Sequence, residues 1–273
     1  MLTLLGIPLD VNSSYLRGPA AAPGKIRAAL RSDASNKWSE LGIDVGAAGA
    51  FGDAGDLRLS NSQEQGSQDF SEIERVVGDL LQKGHQPVSL GGDHSVTYPV
   101  LRGFASHYAD LSIIHFDAHP DLYDEFEGSR MSHACPFARI MEERLAKRLV
   151  QIGIRTLNEH QRKQAEKFGV EIIQMSALPA YDQLKIRGPL YISFDMDVLD
   201  PAFAPGISHH EPGGMTVREA IAHLHSIEGR IVGADIVEYN PAQDISGMTA
   251  TVAAKVLKEI MGKMILGGKG RQE

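Results

Sequence analysis

The chain reads as an α/β protein, a three-layer α/β/α sandwich around a mostly parallel sheet, on two observations. Short runs rich in Val, Ile and Leu recur without polar alternation, and segments of helical periodicity lie between them. Uninterrupted apolar runs belong to strands buried on both faces, the habit of parallel sheets covered by helices. Regular alternation of strand and helix is the pattern of that class. In order, strands are expected at TLLGI (3–7), PVSL (87–90), LSIIHF (111–116), LVQIGI (149–154), PLYISF (189–194) and RIVGADIV (230–237). Helices are expected in APGKIRAALRS after residue 21, over 69–84, from residues 132, 157 and 216, and in TATVAAKVLKEIMGKMI near the end. Thr216 with Glu219 has the spacing of a capping box, and Ser71 with Glu74 repeats it more weakly. Residues 46–68, rich in Gly, Ser, Asn and Asp, read as a long surface loop, and the tail GGKGRQE is expected to fray.

At 273 residues the chain is long enough for a large core, and residues 1–273 are expected to form a single domain. A formal charge of −8 and a sequence pI near 5.8, with no Lys/Arg stripe, give no support to nucleic-acid binding and make a small cationic partner the easier one. The single cysteine, Cys135, excludes an internal disulfide framework and suits a reducing compartment. The N-terminal segment lacks a basic n-region, and nowhere do about 18 apolar residues run together, so no membrane span is expected and the cytoplasm is the expected location.

The residues just past the apolar runs carry the chemistry. PVSL leads into GGDHS, with His94; LSIIHF into DAHPD, with Asp117, His119 and Asp121; PLYISF into DMDVLDP, with Asp195 and Asp197; RIVGADIV into Glu238. Ligands of open α/β sheets bind at the carboxyl ends of the strands. Alternation along a strand would turn Asp117 with His119, and Asp195 with Asp197, to one side. Four carboxylates cannot gather without positive charge to compensate them, and two divalent cations would supply it. Carboxylates with only two imidazoles and no thiolate favour Mn²⁺, with Co²⁺, Ni²⁺ or Zn²⁺ as other occupants.

GGDHS, DAHPD and SFDMDVLDPAFAPG, in this order, resemble the signature segments of the ureohydrolases, the arginases, agmatinases and related guanidino-group hydrolases. LGIPLDVNSSYLRGPAAAPGKIRAAL, DAHPDLYDEFEGSRMSHACPFARIME and GADIVEYNPAQDISGMTATVAAKVLKEI are similar to the plant-type arginase branch, so the resemblance covers nearly the whole chain. It implies a binuclear manganese site, with one metal on His94, Asp117, Asp121 and Asp195 and the other on His119, Asp117, Asp195 and Asp197. Asp121 would also hydrogen-bond the nucleophilic hydroxide and help move its proton. Glu238 takes the family's position for gripping the guanidinium, and His133 that of a histidine near the substrate, a candidate proton shuttle. A homotrimer or homohexamer is implied as well.

The reaction so implied is hydrolysis of a guanidino group to urea and an amine, first of all L-arginine to L-ornithine, with agmatine to putrescine or another guanidino compound as alternatives. Asp124, Glu125 and Glu127 would suit a purely cationic substrate tail, whereas Ser129 and Arg130 would serve an α-carboxylate. A one-zinc deacetylase and a non-catalytic, metal-stabilised oligomeric binding protein are the rivals. His209 and His210 could reach the pocket rim; His115 reads as a satisfied core histidine and Cys135 as a small residue of a first helical turn.

Overall fold

The computed structural model of the protein describes residues 1–178 and 184–269. In chain order its elements are β1 (Leu2–Gly6), α1 (Ala22–Arg31), β2 (Phe51–Asp56), α2 (Gly66–Gln82), β3 (Gln86–Leu90), α3 (Thr97–Ala105), β4 (Ser112–Phe116), α4 (Pro136–Glu142), β5 (Arg148–Ile154), α5 (Glu159–Phe168), β6 (Glu171–Gln174), β7 (Lys185–Asp195), α6 (Val217–Ser226), β8 (Glu228–Val237) and α7 (Met248–Lys269). The strands form one sheet of eight in the order β2-β1-β3-β8-β7-β4-β5-β6. Every pairing in it is parallel.

Strand alternation divides the apolar side chains between two faces. On β4, Ile114 and Phe116 join a core with Ile26 of α1, Leu224 of α6 and Leu257 of α7. Ile113 points the other way, into a core with Ile73 and Val77 of α2, Phe104 of α3 and Phe137 of α4. Each such fully buried side chain stabilises the fold by about 1.5–3 kcal/mol relative to exposure. The two apolar layers make the expected three-layer sandwich, and they hold the central strands at fixed heights, so that their carboxyl ends meet on one rim.

Several local expectations are corrected. The stretch expected as loop at 46–68 contains β2, an edge strand that pairs with β1, and the start of α2. β2 is half or fully exposed, and its Asp53 and Asp56 are held by the Arg27 guanidinium of α1 rather than by apolar packing. Ser71 caps nothing: it lies inside α2 and donates its hydroxyl to the Ser67 carbonyl at 2.9 Å. The helix expected from residue 132 begins only at Pro136, whose missing N–H costs nothing at a first helical turn, and it stops before Arg144, which sits at φ 57°. Residues 132–135 are therefore a turn, and His133 rides on it. The capping box of Thr216 and Glu219 is formed as expected, with both reciprocal bonds present. In the tail, α7 continues through Lys269, and residues 270–273 lie outside the described residues.

Candidate active site

The four strands that end in ionisable residues are neighbours, β3-β8-β7-β4, at the centre of the sheet. The adjacent strands β7 and β4 lead in opposite directions across the sheet, β7 to β8 and β4 to β5, which makes this rim a topological switch point, where ligands of open α/β sheets bind. After β3 the chain squeezes past Leu9: a Cβ on Gly92 would lie 1.6 Å from the Leu9 carbonyl oxygen. That close passage delivers His94, in a turn capped by Asp93, whose carboxylate accepts the Ser95 N–H at 3.1 Å.

Beyond β4 and β7 the acids converge through turns that their own side chains cap, not through strand alternation, because β4 ends at Phe116 and β7 at Asp195. The Asp117 carboxylate accepts the His119 N–H at 2.5 Å, and Asp195 accepts the Asp197 N–H at 2.8 Å. Asp121 is held at φ 49° and Glu238 at φ 61°, a region that costs a non-glycine residue roughly 1–3 kcal/mol and collects at functional sites.

All six expected ligands are brought together. His94 Nδ1 lies 3.1 Å from Asp117 Oδ2, 3.1 Å from Asp121 Oδ2 and 3.0 Å from Asp195 Oδ2. His119 Nδ1 lies 2.8 Å from Asp197 Oδ2 and 3.4 Å from Asp117 Oδ1. Asp117 thus turns one oxygen to each imidazole. On the far side of the His94 ring, Nε2 is 3.0 Å from Ser193 Oγ, and that hydroxyl donates to Asp235 at 2.7 Å. Its proton being so engaged, Ser193 accepts from Nε2–H, and in the neutral ring His94 Nδ1 carries the lone pair.

A lone pair facing three carboxylate oxygens in a fully buried place is repulsive unless a cation stands between them. His94 Nδ1 is in fact a buried atom without a hydrogen-bond partner. Spacings near 3 Å are those of ligand atoms that share an octahedral cation at about 2.1 Å. The donor set and this orphaned nitrogen fit a divalent metal, and the residues that could hold it include the groups His94, His115, Asp117 and Asp117, His119, Asp197.

Burial and the negative charges of Asp197 and Asp117 hold the Asp195 carboxyl well above the usual carboxylate range. Burial and the charge of Asp117 push Asp121 up to about 6. These are the shifts of acids crowded out of water.

Above the cluster opens a cavity of about 170 Å³, lined among others by Ser14, His119, Asp121, His133, His209 and Glu238. Glu238 Oε1 accepts from the His94 N–H and from His133 Nδ1, each at 2.8 Å. Its Oε2 is buried without a hydrogen-bond partner, and the residue lines the cavity together with the carboxylates of Asp121, Asp195 and Asp197. Burial disfavours the His133 imidazolium, but the Glu238 carboxylate outweighs it and raises the ring to about 9. Ser14 Oγ lies 2.8 Å from His133 Nε2, with the Ser14 N–H 3.2 Å from the same atom. When the ring is charged, Nε2–H donates to the hydroxyl; when it is neutral, Ser14 donates to the ring. The Ser14 hydroxyl can thus serve both states of His133, whereas the Ser14 N–H, a donor only, favours the neutral ring.

Of the specificity residues expected in the 124–130 loop, Asp124 and Arg130 are engaged in ion pairs. Asp124 is paired with Arg130 at 2.7 Å and with Arg139 at 2.8 Å, and Arg130 also meets Glu142 at 2.8 Å. Glu127 and Ser129 line a different cavity, with Asn12 and Phe70. The pocket's outer wall is instead Tyr123, Phe126, Thr156 and Gln161, with His160 stacked on Tyr123 at 5.4 Å. Of the histidine pair, His209 reaches the pocket, 5.1 Å from the His133 ring, whereas His210 is turned to the Pro205 carbonyl. Burial and the charge of Asp121 push the Cys135 thiol up to about 12, which removes it as a nucleophile.

Ser14, Ser193 and Asp235 escaped the sequence reading. They carry no spacing signal, although Ser193 stands inside the SFDMD segment.

The Arginase family profile matches residues 1–262. Arginase 1, mitochondrial, of Arabidopsis thaliana is 43% identical over 278 residues, covering 96% of this chain and 80% of its own. The agmatinase of Bacillus subtilis (strain 168) is 36% identical over 265 residues, 94% of this chain and 90% of its own. The solved arginase from Medicago truncatula superposes with a TM-score of 0.91 at 42% identity, over 96% of this chain and 87% of that one. With the fold, the order of its motifs and these likenesses in agreement, the chain belongs to the arginase family of hydrolases.

Proposed function

We propose that this chain is a manganese-dependent ureohydrolase that converts L-arginine and water to L-ornithine and urea. One observation carries the reading: Glu238, which keeps one carboxylate oxygen buried without a hydrogen-bond partner, lines the same cavity as His119, Asp121, Asp195 and Asp197. An anionic acceptor set beside a cation centre suits a substrate that is itself a planar cation. His94, Asp117, Asp121 and Asp195 would hold one metal, and His119, Asp117, Asp195 and Asp197 the other. Two such cations would supply what neutral water lacks, a hydroxide nucleophile.

The protein's own residues do the rest. Glu238 orients the guanidinium and keeps its positive charge in a desolvated site. Asp121, whose carboxylate lies 3.1 Å from His94 Nδ1 and lines the cavity, accepts the proton released by the nucleophile. The bond from the guanidino carbon to the substrate's alkyl nitrogen breaks, and that nitrogen needs a proton to leave as an amine. His133 gives it, and Ser14 receives the neutral ring.

Agmatine is the second reading, because among the described residues lining the pocket none is Lys or Arg. Apart from the histidines, an α-carboxylate would meet neutral donors such as Ser14, Thr156 and Gln161; agmatine has no carboxylate to satisfy. Urea release from Mn²⁺-loaded protein, with L-arginine, agmatine, guanidinobutyrate and guanidine compared before and after chelation, decides between them. Chelator-sensitive urea from L-arginine alone supports the first reading. Two bound metals without urea from any substrate would leave a non-catalytic binding protein.

We further propose that residues 1–273 act as a single domain, since the ends of strands in one sheet bring together the six expected ligands and Glu238, and that the chain works as a homotrimer or homohexamer, checked by sedimentation. No helix among the described residues is long and apolar enough to cross a membrane. The lone, buried Cys135 suits a reducing compartment, and the cytoplasm is the proposed location. The Arabidopsis relative is named mitochondrial.

A further inference from the structure

His115 and Gln151 stand opposite each other in the register of β4 and β5, and both are fully buried. His115 lies close enough to His94 and Asp117 for a shared metal to be conceivable. The hydrogen bonds assign it another task.

Gln151 Nε2 lies 2.6 Å from the Pro120 carbonyl oxygen and 3.0 Å from His115 Nδ1. A carbonyl oxygen only accepts, so the Gln151 atom facing it must be the amide nitrogen, not the amide oxygen. The same nitrogen then donates its second proton to His115 Nδ1, which makes Nδ1 the acceptor and leaves the ring proton on Nε2. His115 Nε2 is 2.7 Å from Asp117 Oδ2, the oxygen that also faces His94 Nδ1. Gln151 Oε1 is buried without a hydrogen-bond partner, so both of the side chain's bonds run through its nitrogen. Phe137 packs on the His115 ring at 4.0 Å and holds its plane.

We propose that Gln151 and His115 are positioning residues for the metal centre: the Gln151 amide fixes the His115 tautomer, and His115 Nε2–H holds the Asp117 carboxylate between the two imidazole corners. Through Pro120 the same amide also fastens the backbone between His119 and Asp121. One buried side chain on β5 thus steadies the segment that carries three of the expected ligands, without touching metal or substrate. The inference rests on the metal-centre reading above.

The test is Mn²⁺ titration of the purified full chain, by metal analysis at saturation and by chelator competition, on wild type, His115→Leu, His115→Gln and Gln151→Leu. Two metals per chain are expected in all four. Affinity should fall ~10–100-fold in His115→Leu and Gln151→Leu, the usual effect of losing a partner of a ligating group. His115→Gln, whose amide nitrogen can replace Nε2, should recover most of it, a rescue that a merely space-filling role would not give. A single metal in His115→Leu would make His115 a ligand and overturn the proposal. Affinities within about threefold of wild type in Gln151→Leu would overturn it too, even if the histidine variants fail to fold. Wild-type protein that binds no Mn²⁺ would overturn the metal-centre reading itself, and this inference with it.

Discussion

The two imidazole corners of the cluster have the same kind of ligands but different surroundings. The His94 side chain is fully buried and backed by hydroxyls, with Ser193 on its ring and Asp235 behind, the latter also taking the Thr97 and Tyr191 hydroxyls. The His119 side chain is 27% exposed, lines the pocket, and has the His209 ring 5.9 Å away. Between them stands Asp117, with one oxygen to each. In the binuclear centre proposed above, the difference would separate two tasks. The buried corner is preorganised by its hydroxyl support, and the open one, at the cavity, would serve exchange with solvent and contact with substrate.

Asp117→Asn attacks both corners at once and should have the largest effect. Metal analysis is expected to find neither site filled under conditions that saturate wild type, with urea release reduced to that of chelated protein. Two retained metals would mean that Asp117 is not shared. Glu238→Gln keeps both corners and removes only the charge offered to the guanidinium. Its turnover should fall by ~10²–10³, on the scale of losing one well-placed electrostatic contact, at unchanged metal content; full activity would exclude Glu238 from the mechanism.

Asp197→Ala should empty the open corner alone, giving one metal per chain. Loss of both would show that the corners are not independent.

Two smaller effects sharpen the contrast. Ser193→Ala removes the acceptor that keeps the His94 ring proton on Nε2, and metal affinity should fall ~10–100-fold at the buried corner only; an equal loss at both would contradict the division. The last concerns the pocket wall. His133 is raised from 6.5 to about 9, so its pairing with Glu238 stabilises the fold fully below pH 6.5 and that contribution is lost as pH rises through about 9. Denaturation midpoints of wild type and His133→Asn should therefore converge between those pH values; a constant gap would show that the ring is not charged in the folded state.

How much of this is legible in the sequence depends on where the signals lie. The central strands announce themselves because burial on both faces demands continuous Val, Ile and Leu, as in LSIIHF and PLYISF. β2 does not, since an exposed edge strand needs no apolar run, and FGDAGD is held by pairing with β1 and by Arg27. The ligands are legible because metal chemistry restricts residue types at fixed short spacings, but strand alternation does not bring them together: turns capped by Asp117 and Asp195 aim them. Ser14 is 119 residues from His133, and Gln151 is 36 from His115. Partners so far apart are set by sheet register and loop packing, which leave no periodic mark in a sequence.

The most direct measurement is anomalous scattering from crystals of the Mn²⁺-loaded protein. Two peaks are expected, one in coordinating reach of His94 Nδ1 and one of His119 Nδ1, with Asp117 between them. A single peak, or none at this cluster, would contradict the binuclear centre.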